Sequence, residues 1–127
     1  MLVFDYALHP DAGTHIPGGG VEVGERIDIA AVREAVEETG VAGSLEFRGV
    51  LGVQEGTHDT GQPYISVSFH LDAAETRDAW THIMVGDDGV WDTGLEVNCR
   101  FVALHEAGPL LRSSWGHQDE FLDLLSA

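Results

Sequence analysis

Three glutamates, Glu34, Glu37 and Glu38, stand at i, i+3 and i+4 in a stretch with helical periodicity. At about 100° per residue they share one side of the helix, bordered by Ala30 and Ala31. Like charges at this spacing repel by a few tenths of a kcal/mol per pair. No lysine exists anywhere in the chain to relieve them, and Arg33 is placed for only part of the cluster. A solvated acidic face is the plain alternative, but such faces usually interleave signs. Dense carboxylate oxygen is what a hard divalent cation such as Mg²⁺ or Mn²⁺ takes as ligand. Just upstream, Gly18-Gly19-Gly20 forms a turn whose backbone can approach a ligand closely, although a triple glycine alone is only a tight turn.

The spacing around these residues is that of a known motif. Gly19 is followed by five residues and Glu25, then by seven residues and Arg33-Glu34-Ala35-Val36-Glu37-Glu38-Thr39-Gly40-Val41. This resembles the Nudix box, with Ala35 the one soft match at an apolar position. The resemblance implies an α+β fold of the α/β/α sandwich type, a mixed β-sheet flanked by helices. It also implies hydrolysis of a nucleoside diphosphate linked to a second group X, with Mg²⁺ or Mn²⁺ as cofactor. By position, Glu37 and Glu38 match glutamates that ligate the metal, and Gly18 matches a backbone carbonyl that joins them. Glu34 matches a residue that binds metal-bound water or acts as general base. Arg33 matches the arginine that orients these glutamates, and Glu25 matches an acid that is either structural or a further ligand. Glu34, Arg33, Glu37 and Glu38 are thus the expected catalytic set. A Nudix-fold nucleotide-binding or regulatory module without turnover is the alternative, but such modules typically lose the box glutamates.

Other positions carry weaker signals. A further ligand or base often follows the box in this family; Glu55, Asp59, Asp87, Asp88, Asp92 and Glu96 are candidates that the sequence does not rank. Asp87 and Asp88 sit in a Gly-flanked turn, where structural roles are common. Trp80 and Trp91 flank that loop and could stack on a nucleobase, although core packing is the default for tryptophan. With Gly19 and Gly20 these make up the candidate substrate-binding residues. Arg48, Arg77 and Arg100 could reach a phosphate or ribose; ion pairs with the abundant acids are the plainer role. The seven histidines are scattered and lack zinc-site spacing, and Cys99 reads as a small buried residue.

The elements that must hold these residues follow from pattern. Val3–Tyr6 reads as a strand, residues 9–13 as a turn and 14–16 as an extended segment, with Pro17 biasing Ile16 away from helix. The helix spans Ile27–Thr39, with Ile29, Val32 and Val36 opposite the glutamates and Gly40 at its C-terminal stop. Residues 45–54 read as a strand interrupted at Gly52, 55–61 as a polar loop, and 64–71 and 95–102 as alternating strands. Residues 73–80 are ambiguous. Residues 115–125 fit a C-terminal helix capped by Ser113 or Ser114, with Phe121, Leu124 and Leu125 at helical spacing.

Composition bounds what such a molecule can do. The 127 residues suit a single domain. There are 22 acidic and 6 basic residues, all of the latter arginine, for a formal net charge of −16. No large basic face can be built, so duplex nucleic acid is not an expected partner, and anionic membranes would repel the chain. Lysine chemistry is absent. An anionic small-molecule nucleotide would need a cation as intermediary. One cysteine and no long apolar stretch point to the cytoplasm. Only 18 residues precede Gly19, fewer than is usual for the family. A sheet edge left bare by that short lead would favour a homodimer.

Overall fold

The computed structural model describes residues 1–86, 92–112 and 118–125. Its centre is a four-stranded sheet of β1 (Leu2–Tyr6), β2 (Thr14–His15), β5 (Ala79–Ile83) and β6 (Glu96–Phe101), in the order β2-β1-β6-β5. A long hairpin of β3 (Leu45–Thr57) and β4 (Pro63–Ala73) forms a second sheet. The fold is α+β, as expected. Every strand pair among the described residues is antiparallel.

Alternation along the central strands sends side chains to two faces. Phe4 lies opposite Cys99, and Cys99 opposite Trp80; Tyr6 lies opposite Val97, and Val97 opposite His82. This face forms the core cluster of Phe4, Tyr6, Met84, Val97 and Cys99. The other face carries Val3, which packs on Ala107 and Leu111 of α2 (Leu104–Leu111). Ala107 and Leu111 are one helical turn apart and both fully buried, which holds two turns of helix together despite Pro109 within them. The sequence pattern misses α2 because Gly108-Pro109 reads as a break. The expected C-terminal helix is also corrected: residues 113–117, including both proposed caps, lie outside the described residues, 118–121 form a turn, and only a 3₁₀ turn spans Leu122–Leu125. Phe121 and Leu122 anchor on different elements there. The Phe121 ring covers Gly52 of β3, and Leu122 joins the Val3 cluster.

The helix α1 (Ile27–Thr39) lies on the Phe4 face, with the bounds the sequence implies. Its buried residues are Ala30, Ala35, Glu38 and Thr39, while Ile29 and Val36 are about half exposed. The alanine-and-glutamate side therefore turns inward and the branched apolar side outward, the reverse of an ordinary amphipathic helix. Small side chains let the helix axis approach the sheet closely, which brings the glutamates to the sheet edge. Gly40 ends the helix at φ 63°, and a Cβ there would lie 2.4 Å from His82 Nδ1, so both backbone and space require glycine.

The last turn of α1 is locked by the sheet. A helix leaves its final carbonyls without intrahelical partners. Here the Glu37 carbonyl accepts from His82 Nε2 at 2.9 Å and from the Val85 amide at 3.0 Å. The Thr39 carbonyl accepts from the Trp80 indole and the Cys99 thiol, and the Gly40 carbonyl from Arg77. The hairpin is longer than the sequence suggests, its strands continuing to Thr57 and Pro63. The expected interruption at Gly52 is a β-bulge, and a second lies between Phe47 and Gly49. No helix among the described residues is long and apolar enough to cross a membrane.

Candidate active site

A cavity of about 520 Å³ opens between α1, β1 and the glycine turn. Gly18, Gly19, Gly20, Arg33, Glu34, Glu37 and Glu38 all line it. Positions separated by up to 20 residues thus converge because the turn folds back over the inward side of α1.

Arg33 is the hub. Its Nε and Nη2 grip Glu25 in a fork, at 2.7 and 2.9 Å. Nη1 donates to Glu34 at 2.9 Å and to Glu37 at 3.1 Å, and Nη2 also donates to the Gly20 carbonyl at 2.9 Å. A guanidinium has five N–H bonds, and these five contacts use them all. Glu25 is held down to about pH 2 by its bonds to Arg33 and to the Glu22 amide, and Arg33 itself is raised further above its ordinary range. Glu25 does not line the cavity; it fixes the arginine that fixes the other acids.

Glu34 packs against Gly19 so closely that a Cβ on that glycine would lie 2.3–2.5 Å from the carboxylate. Burial pushes the Glu34 carboxyl above its usual value, with Arg33 opposing. Glu38 is only 6% exposed and accepts from the Gly18 amide at 2.7 Å. It makes no ion pair among the described residues, and Arg33 has no N–H left for it. Burial, with the charges of Glu34, Asp92 and Glu37 adding, pushes its carboxyl up to about 8.

A buried carboxylate facing like charges is an unfavourable state that a cation would relieve. The available donors are all hard oxygens, which suits Mg²⁺ or Mn²⁺ and not a soft metal. The acids do not form a closed cage: among the described residues no three His, Cys, Asp or Glu side chains are gathered for joint ligation.

Of the later acids that the sequence left unranked, Asp92 lines the cavity, whereas Glu55, Asp59 and Glu96 do not. Asp87, Asp88 and Trp91 lie outside the described residues. Trp80 does not line the cavity: its indole holds the end of α1, and the Arg77 guanidinium sits 4.3 Å over its ring. These contacts are structural, the default role for this tryptophan. Arg48, Arg77 and Arg100 pair with Asp72, Glu75 and Asp5, the plainer of the roles considered for them.

The cavity wall also holds residues that sequence reasoning missed. Phe4, Tyr6 and His15 form a mutually packed trio with ring centroids 5.6–5.8 Å apart. Burial, Glu38 and Asp92 push the Tyr6 phenol up to about 12. The available signal was the alternation of β1, which sends Phe4 and Tyr6 to the face that carries α1.

The NUDIX domain family matches residues 2–125. Diphosphoinositol polyphosphate phosphohydrolases 3-alpha and 3-beta of Mus musculus are each 35% identical to the chain over 92 residues, covering 72% of it and 53% of the relative. The chain spans about half the length of these curated relatives. With Gly19, Arg33, Glu34, Glu37 and Glu38 of the box lining one cavity and the family match running over residues 2–125, the chain belongs to the Nudix family.

Proposed function

We propose that the protein is a divalent-metal-dependent pyrophosphohydrolase. Water attacks phosphorus in the diphosphate of a nucleoside diphosphate linked to X. The P–O bond to the bridging oxygen breaks, a new P–O bond forms to the water oxygen, and a nucleotide and a phosphorylated X leave. The observation that carries this reading is Glu38, a buried carboxylate without a counter-charge among the described residues, beside Glu34 and Glu37 in one cavity.

Mg²⁺ or Mn²⁺ would be held by Glu37, Glu38 and the Gly18 backbone; when bound it supplies positive charge for the diphosphate and makes water more acidic. Glu34 is the proton acceptor in this reading, since its raised basicity and fixed position against Gly19 suit a general base. Arg33 orients Glu34 and Glu37, and Glu25 orients Arg33. Gly20 contributes a carbonyl to the same network. Positioning and electrostatics supply most of the rate in phosphoryl transfer, and rigid carboxylates serve both.

The relatives are named for diphosphoinositol polyphosphates. For this chain we favour a less charged substrate. Among the described residues, five acids (Glu22, Glu34, Glu37, Glu38 and Asp92) line the cavity against one arginine that is fully engaged. A ring bearing many phosphates would meet repulsion that a single diphosphate avoids. The lone, buried Cys99 suits the cytoplasmic location we also propose.

The test is a phosphate-release screen of nucleoside diphosphate derivatives and a diphosphoinositol polyphosphate, with Mg²⁺, Mn²⁺ or EDTA. The expected result is metal-dependent turnover of one or more nucleoside diphosphate derivatives. Turnover that survives EDTA, or that is confined to the inositol substrate, would contradict the proposal.

A further inference from the structure

The β3–β4 hairpin is built with its apolar side outward. In the register, Val53 lies opposite Val67 and Val50 opposite Phe69, and Phe47 shares their face because each bulge absorbs one residue. Ile65 extends the same face toward the hairpin tip. Phe47, Val50, Val53 and Ile65 are 45%, 56%, 57% and 69% exposed. The opposite face carries Gly52, Gly56, Ser66 and Ser68; Phe121 from the C-terminal segment lies over Gly52, and Tyr64, across the register from Gly56, covers that glycine. An isolated two-stranded sheet is marginal in water, and an uncovered apolar face makes it more so. The two bulges keep the apolar residues aligned at three-residue spacing, so the face is a consistent product of the register.

We propose that this face docks against the same face of a second copy of the chain, forming a two-fold dimer by sheet-on-sheet packing. Two observations favour a second copy. The patch offers on the order of 500 Å² of apolar surface per copy, so a self-paired interface reaches about 1,000 Å², the lower bound for specific association. The patch is also nearly free of charge, with Glu55 at one end, in a chain of net charge −16. Two copies can therefore meet here without opposing carboxylates, whereas most other surface would repel. An isologous contact needs only that one face complement itself, as a flat apolar sheet does.

Analytical ultracentrifugation of the full chain at about 0.05 and 0.5 M NaCl tests this. A dimer is expected, and it should tighten with salt, because screening removes the repulsion between acidic copies while the apolar contact persists. Val53→Glu combined with Ile65→Glu should weaken the dimer at least about 100-fold, since it would bury four charges across the two-fold. The milder pair Val50→Thr and Val53→Thr should weaken it about 10-fold and guards against misfolding of the charged variant. Leu8→Glu, at a still more exposed leucine outside the hairpin and the cavity, should leave the dimer intact. A wild-type monomer, a dimer indifferent to the hairpin substitutions, or association that weakens with salt would each overturn the proposal. So would a monomeric wild type whose hairpin binds an apolar dye that the double glutamate variant does not, since that would assign the face to a different chain.

Discussion

The central sheet and the β3–β4 hairpin are made from the same kind of alternating sequence, yet they treat their apolar residues in opposite ways. In the central sheet both faces are covered, one by α1 and the other by α2, and Val3, Phe4 and Val97 are at most 1% exposed. In the hairpin Phe121 and Tyr64 lie over Gly52 and Gly56, and the valines, isoleucine and phenylalanine of the other face look to solvent. Alternation thus predicts that a strand exists, but the neighbour that covers it decides which side is core. The same inversion appears in α1, where Ile29 and Val36 look outward and Glu38 looks inward. In the helix the inversion serves a site. In the hairpin it leaves a surface to be covered.

If the central sheet is the stability core, truncation there should cost most. Leu111→Ala removes a fully buried side chain from the α2 side and should lower unfolding free energy by about 2–5 kcal/mol, measured by urea denaturation. A loss below about 1 kcal/mol would show that α2 is not integral to the core. At the junction of α1 and the sheet, Gly40→Ala combines an unfavourable positive φ with a clash on His82. A loss of roughly 1–3 kcal/mol is expected; a neutral result would mean the helix end is not held as described.

A smaller effect should come from Glu38 in metal-free protein. Its folded carboxyl titrates near 8, above the ordinary glutamate value of 4.5. The folded state therefore binds more protons than the unfolded state between those values. The stabilisation is fully present below about pH 4.5 and is lost as pH rises through about 8. In EDTA, thermal melts should fall from pH 5 to pH 8.5 in the wild type. The fall should be shallower in Glu38→Gln, which isolates this group from every other one in the chain. Equal slopes would show that Glu38 is not held protonated by its burial. Least affected should be the hairpin. Val53→Thr, measured at concentrations low enough to separate copies, should change stability by no more than about 0.5 kcal/mol. A larger loss would place Val53 in the core and erase the contrast with the central sheet.

Much of the site was legible in the sequence because its parts are local. The helix register alone puts Glu34, Glu37 and Glu38 together, and fixed spacing ties them to Gly19 and Arg33. Glu25 was legible as a box position, but its role as a clamp on Arg33 needed coordinates. What depended on distant contacts was not legible. Trp80 takes its role from a carbonyl 41 residues away. Tyr6 and Asp92 reach the cavity only through strand pairing and a loop whose path no local pattern sets. The inward turn of the acidic face was hinted at by Ala30 and Ala31 and by the absence of compensating lysine, but the outward face of the hairpin carried no signal at all. The helix at 104–111 was lost to Gly108-Pro109, whose local cost is outweighed by burying Ala107 and Leu111.

We propose that Glu38, buried beside the Glu34 and Glu37 carboxylates that Arg33 holds, is required for metal-dependent hydrolysis. The most direct measurement is kcat of Glu38→Gln beside wild type, with Mg²⁺ at saturation and the best substrate from the screen. The substitution keeps size and the Gly18 contact while removing the charge. A fall of at least about 10²-fold is expected, with the fold intact. Turnover within a few-fold of wild type would contradict it.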